Sequence, residues 1–491
     1  MSSHLFTRLF GAAVAVIPLC PTAPAFAENP VHVLEKAVSG AGVSKHLIAF
    51  QAIADAHGGN RAAGLPGYAA SVDYVAGLLR KAGYEVILQP FRFNFYREIG
   101  KPSFERVGAA PYEHPADFST VEHSGPGDVT AQVQPVDVRL PPDSRPSTST
   151  SGCEPSDFTS FVPGRIALLQ RGGCPFRVKA TNAVTAGAAA VIIFNEGRPG
   201  RTDSFNGSLE EPHSVPVVAT SYGIGRELAE TRATVRVATQ VESESRVSHN
   251  VIVQTEHGDP DDVVVVGAHL DSVQEGAGIN DNGSGAGAVL EVALAMAEHK
   301  PRRAVRFIWW GAEELGLIGS KHYVRALSPQ ERSKIKLYLN FDMVASPNYI
   351  YGIYDGDDSD KVGQGPGPAG SAEIERAFQK YYEKRSLPHM GTDFTGRSDY
   401  GPFIEYGIPA GGLFTGGETP KTPAQAALFG GTAGLSYDSC YHRACDDLSN
   451  INHTALDVNT DAIASVTATF AWPTAAARST TPSAPAPRES G

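Results

Sequence analysis

Asp262–Asp281, DVVVVGAHLDSVQEGAGIND, decides how this chain is organised. Val263–Val266 are four β-branched apolar residues in a row, the composition of a strand covered on both faces. The strand ends at Gly267-Ala268, and His269 and Asp271 follow. A glycine-rich turn then carries Asn280 and Asp281, and Ala286 to about His299 reads as an apolar helix. A histidine and an aspartate thus emerge where a strand meets its loop. In open α/β sheets, ligands bind outside the carboxyl ends of the strands.

Working outward, the same edge recurs twice. Arg303–Trp310, RAVRFIWW, predicts the next strand and runs directly into Glu313 and Glu314. Leu337–Phe341 predicts a third, ending at Asp342. His442 arrives late, in Cys440-Tyr441-His442. Imidazole and carboxylate are the expected ligands of a divalent metal, zinc among them. Any one of these residues alone reads as a solvated carboxylate or a satisfied histidine. His269, Asp281, Glu313, Glu314 and Asp342 together, at successive strand ends, read as a metal site.

At 491 residues the chain predicts two or three domains. The net charge of −12 and the lack of a basic cluster give no reason to expect nucleic acid or anionic membrane as a partner. The N-terminus reads as a signal peptide over 1–27: Arg8, an apolar run from Leu9 to Leu19, then Ala25-Phe26-Ala27. That run is too short, and broken by Pro18, for a membrane span. Export would leave Cys153, Cys174, Cys440 and Cys445, an even number that predicts two disulfides. Proximity favours Cys153–Cys174 and Cys440–Cys445, with three connectivities formally open.

Val43–Ala56 and Tyr68–Ala82 have helical periodicity, and Tyr84–Phe95 alternates like a strand. Roughly residues 100–160 are rich in Pro, Gly and Ser and read as loop and turn. A compact unit follows. Arg165–Gln170, Ala188–Asn195 and Val215–Ala219 read as strands and Val178–Ala186 as a helix, with none of the strand-end clusters above. It looks like an insertion. The expected plan is a leading segment of an α/β domain at 28–120, an inserted domain at 121–245, a second segment of the α/β domain with the metal site at 246–475, and a disordered Pro/Ser-rich tail at 476–491.

The motifs GAHLDSV, GINDNGSGAGAVLE, WWGAEELGLIGS, LNFDM, GRSDYGPF and CYHRACDDLSNIN, with GGNRAAGLPGYAASVDYVAGLL upstream, resemble the secreted bacterial di-zinc aminopeptidases of the leucine-aminopeptidase type. The resemblance implies a mixed, mostly parallel α/β sheet flanked by helices. It implies that His269 and Asp342 hold one Zn²⁺, Glu314 and His442 the other, and that Asp281 bridges them. Glu313 would be general base and acid, and Tyr441 a donor to the oxyanion. Arg397 would help order the site near the substrate's amino end, and Asp271 would orient His269. GRIALLQRGGCPFRVKATNAVTAGAAAVIIFN resembles a β-rich protease-associated (PA) domain, with Cys153–Cys174 as its internal disulfide.

Some members of the type bind calcium, and Asp457 and Asp461 match that site, although Ala37 stands about where an acidic partner would be. The expected protein is a secreted monomer acting on peptides with a free N-terminus, preferring bulky apolar residues such as Leu. The rivals are a zinc carboxypeptidase of the glutamate-carboxypeptidase type, a non-catalytic peptide-binding protein on the same scaffold, and a zinc cyclase of N-terminal glutamine. No G-x-S-x-G elbow is present. Gly283 to Gly287 misses the G-x-G-x-x-G spacing at Ala288 and reads as a helix start packed close to the sheet.

Overall fold

The computed structural model describes Met1, residues 29–142 and residues 145–473. Met1 apart, the expected signal peptide and the expected tail lie outside the described residues. The described strands, in chain order, are β1 (Ile87–Arg106), β2 (Phe118–Thr120), β3 (Gly127–Pro135), β4 (Ile166–Gln170), β5 (Ala190–Phe194), β6 (Val217–Thr220) and β7 (Thr234–Gln254). They continue with β8 (Asp259–His269), β9 (Arg303–Trp310), β10 (Ile335–Phe341), β11 (Gly352–Tyr354), β12 (Met390–Thr392) and β13 (Ala410–Phe414).

The sheet runs β12-β11-β13-β10-β8-β9-β7, and β8 pairs in parallel with both β9 and β10. β10 and β13 are also parallel, whereas β7 joins β9 antiparallel. The valine run behaves as its composition requires. Val264 and Val266 enter one core with Phe50, Leu290 and Ile463, while Val263 and Val265 enter the opposite core with Trp310 and Phe403. Full burial of each such side chain contributes roughly 1.5–3 kcal/mol. Helices Gly40–Ala56, Pro66–Lys81, Gly285–Met296 and His453–Ala471 cover the first face. The start of Gly285–Met296 lies close on the sheet: a Cβ at Gly285 would stand 2.3 Å from the Phe341 carbonyl oxygen.

The 84–160 region departs from expectation. β1 is 20 residues long and pairs with the 21-residue β7, from Ile87↔Ile252 to Arg106↔Val235. Only the Phe91–Phe95 stretch of this ribbon alternates legibly. Beyond it, register shifts at Glu98/Gly100 and Gly100/Ser103 absorb Gly100 and Pro102, which read as loop residues. β2 and β3 also lie in the stretch expected to be loop. The inserted unit follows in the order β3-β4-β5-β6-β2, with helices Phe176–Thr185 and Tyr222–Thr231. β7 belongs to both the peptidase sheet and the inserted unit, so the expected boundary at residue 245 falls inside a strand. Both disulfides pair as proximity suggested, Cys153–Cys174 and Cys440–Cys445.

Gly412 tests the β10–β13 pairing. Its φ is +153°, it pairs with Asn340, and an added Cβ would lie 1.8 Å from the Asn340 carbonyl oxygen. Gly412→Ala should destabilise the protein by about 1–3 kcal/mol or more, read as a lower midpoint in urea unfolding.

Candidate metal centre

Three parallel strands deliver the site. β8 ends at His269, β9 leads to Glu313 and Glu314, and β10 leads to Asp342. Asp281 stands in the turn before helix Gly285–Met296, and His442 in the loop closed by Cys440–Cys445. The structure brings all five expected ligands together. His269 Nε2 lies 3.2 Å from Asp281 Oδ1 and 3.4 Å from Asp342 Oδ1. His442 Nε2 lies 3.3 Å from Asp281 Oδ2 and 3.0 Å from Glu314 Oε2. Each oxygen of Asp281 therefore faces its own imidazole–carboxylate pair. Glu313 Oε2 is 4.0 Å from His269 Nε2.

The donor set fits divalent cations. Glu314 Oε1 is buried with no hydrogen-bond partner, although its other oxygen meets His442. A buried carboxylate oxygen left without a partner is costly, and a cation satisfies it. The titration of the bare side chains points the same way. Burial alone would lower the pKa of His269, but the charges of Asp342 and Glu313 push it well above the usual range. Burial also opposes charging of His442, yet Asp281 and Glu314 raise it to about 10. Burial, with the Asp281 charge, lifts Glu314 to about 8. Burial likewise lifts Glu313 well above the carboxylate range, opposed by His269 and reinforced by Asp399 and Asp342. Burial would raise Asp281 too, but its contacts with His269 and His442 hold it below that range. The protein has gathered more negative charge than its own groups neutralise, a balance that cations would redress.

Asp271 occupies its expected place with a different set of contacts. Its main-chain carbonyl is the nearer partner of His269 Nδ1, at 3.1 Å, and its carboxylate is 3.7 Å away. That carboxylate accepts the main-chain N–H groups of Glu313, at 3.2 Å, and Glu314, at 3.4 Å. It joins the β8 loop to the β9 loop. Tyr441 lines the pocket with its ring stacked 3.9 Å from the His442 ring. Arg397 lies at the exposed rim and donates to Glu418 at 3.3 Å.

Residues without an assigned role also build the site. Ser398 donates to Asp342 Oδ2 at 2.6 Å. Asp446 accepts the main-chain N–H groups of Asn280, at 2.8 Å, and Asp281, at 2.9 Å. Asn450 links Asp446 to Asp438. Asp399 is buried, and burial raises it to about 7, opposed by the His269 charge and the Ser320 hydroxyl. GRSDYGPF and CDDLSNIN contain all of these residues but Asp438, and only three-dimensional placement separates a supporting aspartate from a surface one. Asp457 and Asp461 stand apart from the centre. Asp457 Oδ1 accepts the Gly40 N–H at 2.8 Å, at the start of helix Gly40–Ala56. Burial and the Asp457 charge raise Asp461 to about 6, opposed by the Arg385 guanidinium.

Residues 250–467 match the model of peptidase family M28, and residues 130–228 match that of the PA domain. An aminopeptidase of Pseudomonas aeruginosa is 48% identical over 455 residues, spanning 90% of this chain and 84% of that protein. This chain belongs to peptidase family M28. The M28 peptidase is also 47% identical over 325 residues to leucine aminopeptidase 2 of Trichophyton rubrum, 65% of each chain. Among solved structures it resembles the aminopeptidase from Aneurinibacillus sp. strain AM-1, with a TM-score of 0.62, 27% identity, and coverage of 90% of this chain and 97% of that one. A zinc aminopeptidase from Bacillus subtilis shares the fold at a TM-score of 0.56 and 23% identity, covering 89% and 96%.

The raised groups set a pH dependence. His442 contributes stability in full below its ordinary 6.5 and loses it as pH rises through about 10. Glu314 contributes in full below 4.5 and loses it as pH rises through about 8. The depressed Asp281 acts near and below 3.8, outside this window. Metal-stripped peptidase should therefore lose thermal stability as pH rises from 6.5 to 10, and zinc should flatten that decline. Melting curves with and without zinc across that range check it.

Proposed function

We propose that this M28 peptidase is a two-zinc aminopeptidase that removes bulky apolar residues from the N-terminus of peptides. One observation carries the proposal: Asp281 presents one oxygen to His269 and Asp342 and the other to His442 and Glu314, beside a partly apolar pocket. Relatives named aminopeptidase and leucine aminopeptidase support the reaction class. His269 and Asp342 would hold one ion, His442 and Glu314 the other, with Asp281 shared. When bound, such a pair lowers the pKa of a water toward about 7 and polarises the scissile carbonyl.

The remaining work falls to the protein. Glu313 sits next to a ligand in sequence and faces the centre with its carboxylate uncommitted to a ligand pair. It takes the proton of the attacking water and delivers it to the leaving amine. Its raised pKa in the bare site suits a group that must hold that proton between the two transfers. Tyr441 donates to the oxygen on which charge develops. Asp271 holds the Glu313 and Glu314 main chain against the β8 loop, so base and ligand keep their spacing.

The pocket, about 250 Å³, supports the substrate assignment. Met343, Ile350, Tyr354, Met390 and Phe414 give it apolar walls for a Leu-sized side chain. Besides the expected ligands and Glu313, Asp393 and Glu418 line it, and Arg397 is its one lining guanidinium among the described residues. That guanidinium is paired with Glu418. Such a wall attracts a free ammonium and offers no unpaired cation to a C-terminal carboxylate, which disfavours the carboxypeptidase. Two disulfides support export to an oxidising compartment. Among the described residues no helix is long and apolar enough to cross a membrane.

Glu313→Gln separates base from ligand. It should retain zinc and lose about 10²–10⁴-fold in kcat on Leu-p-nitroanilide. Wild type should cleave that substrate and leave an N-acetylated Leu analogue and an N-blocked C-terminal Glu peptide intact. Cleavage of the C-terminal Glu peptide alone would make the enzyme a carboxypeptidase. Zinc binding without turnover of any of the three would return the scaffold to a binding role.

A further inference from the structure

Arg61 is fully buried, in the Gly-Gly-Asn-Arg stretch that follows helix Gly40–Ala56. A buried guanidinium is expected beside a carboxylate. Among the described residues, its hydrogen bonds go to main-chain carbonyls instead. Nε donates to Ala277 at 2.9 Å, Nη2 to Gly278 at 2.7 Å, and Nη1 to Leu270. The Arg61 main-chain N–H donates to Ser272 Oγ at 2.9 Å, and its carbonyl accepts the Ser272 N–H at 3.4 Å. The guanidinium also lies 4.9 Å over the Phe50 ring.

All of these loop partners lie between His269 and Asp281. Leu270 directly follows the first ligand, and Gly278 precedes the second by three residues. The loop is short of regular structure, and its glycines leave its backbone permissive. Asp446 holds the Asp281 end of the loop and Gln274 ties its middle to β1, whereas among the described residues Arg61 alone reaches carbonyls near both ends. We propose that Arg61 is a positioning residue that pre-organises the metal centre by fixing the loop between His269 and Asp281. The planar fork spans three carbonyls in fixed directions, which a lysine ammonium on a flexible stem does not reproduce. The same buried positive charge lies in the field of Asp271, Asp446 and Asp281, and so offsets some of the negative excess beneath the centre.

The clamp rests on the two-metal proposal, so wild type is measured beside the variants. Zinc affinity is read by chelator competition, and the fold by near-UV circular dichroism and the melting temperature of metal-free protein. Arg61→Lys keeps the charge and loses the fork. It should fold and bind zinc about tenfold more weakly or worse, in the range of other supporting-residue losses at metal sites. Activity should return at saturating zinc, unlike that of His269→Ala. A folded Arg61→Lys with zinc affinity within about twofold of wild type overturns the clamp, even if its melting temperature falls. If Arg61→Lys does not fold, Arg61→Gln, which keeps a planar donor, decides in its place: about tenfold weaker zinc binding supports the clamp, and binding within about twofold of wild type overturns it. A wild type that binds no zinc overturns both proposals.

Discussion

The constraint on which this structure depends is electrostatic. Asp281, Glu313, Glu314 and Asp342 converge on two imidazoles at the end of a buried sheet. Burial penalises each charge separately, and packing them together penalises them jointly. The fold meets this with main-chain hydrogen bonds to the neighbouring aspartates Asp271 and Asp446 and with the Arg61 guanidinium nearby. It leaves the rest to cations. The orphaned oxygen of Glu314 and the raised pKa values of His269 and His442 are two signs of the same deficit.

The scaffold holds that deficit in place with rigid elements. β8, β9 and β10 are hydrogen-bonded neighbours, so the loops after them keep a common edge. The ribbon of β1 and β7 adds a second support. Phe91, Phe93 and Phe95 pack with Ala62, Ala63 and Ala312, placing a small apolar core beneath the residues adjoining Arg61 and Glu313. Gln274, in the His269–Asp281 loop, donates to the Tyr96 carbonyl of the same ribbon at 2.9 Å. The strand pair that carries the inserted unit thus also braces the metal centre. No described residue between 121 and 245 lines the pocket.

Much of this was legible in the sequence because it depends on local composition. The valine run, RAVRFIWW and the strand-end acids could be placed without coordinates, and the five residues that the family resemblance implied as ligands lie together. The ribbon was half legible, since Gly100 and Pro102 interrupt its alternation and only cross-strand bulges accommodate them. The supporting residues were illegible for another reason. Asp399, Asp446 and Asp457 have the same side chain, yet one is buried with a raised pKa, one holds the Asp281 turn, and one caps a helix. Long-range placement alone distinguishes them. Asp271 shows the same limit: its proximity to His269 was foreseeable, and its grip on the next loop was not.

The central claim is that Asp281 serves two ions at once. The zinc content per chain of purified Asp281→Asn, measured by mass spectrometry beside wild type and His442→Ala, tests it most directly. The account predicts about two zinc ions in wild type, about one in His442→Ala, and less than one in Asp281→Asn. An Asp281→Asn protein that folds and keeps the wild-type zinc content would contradict it.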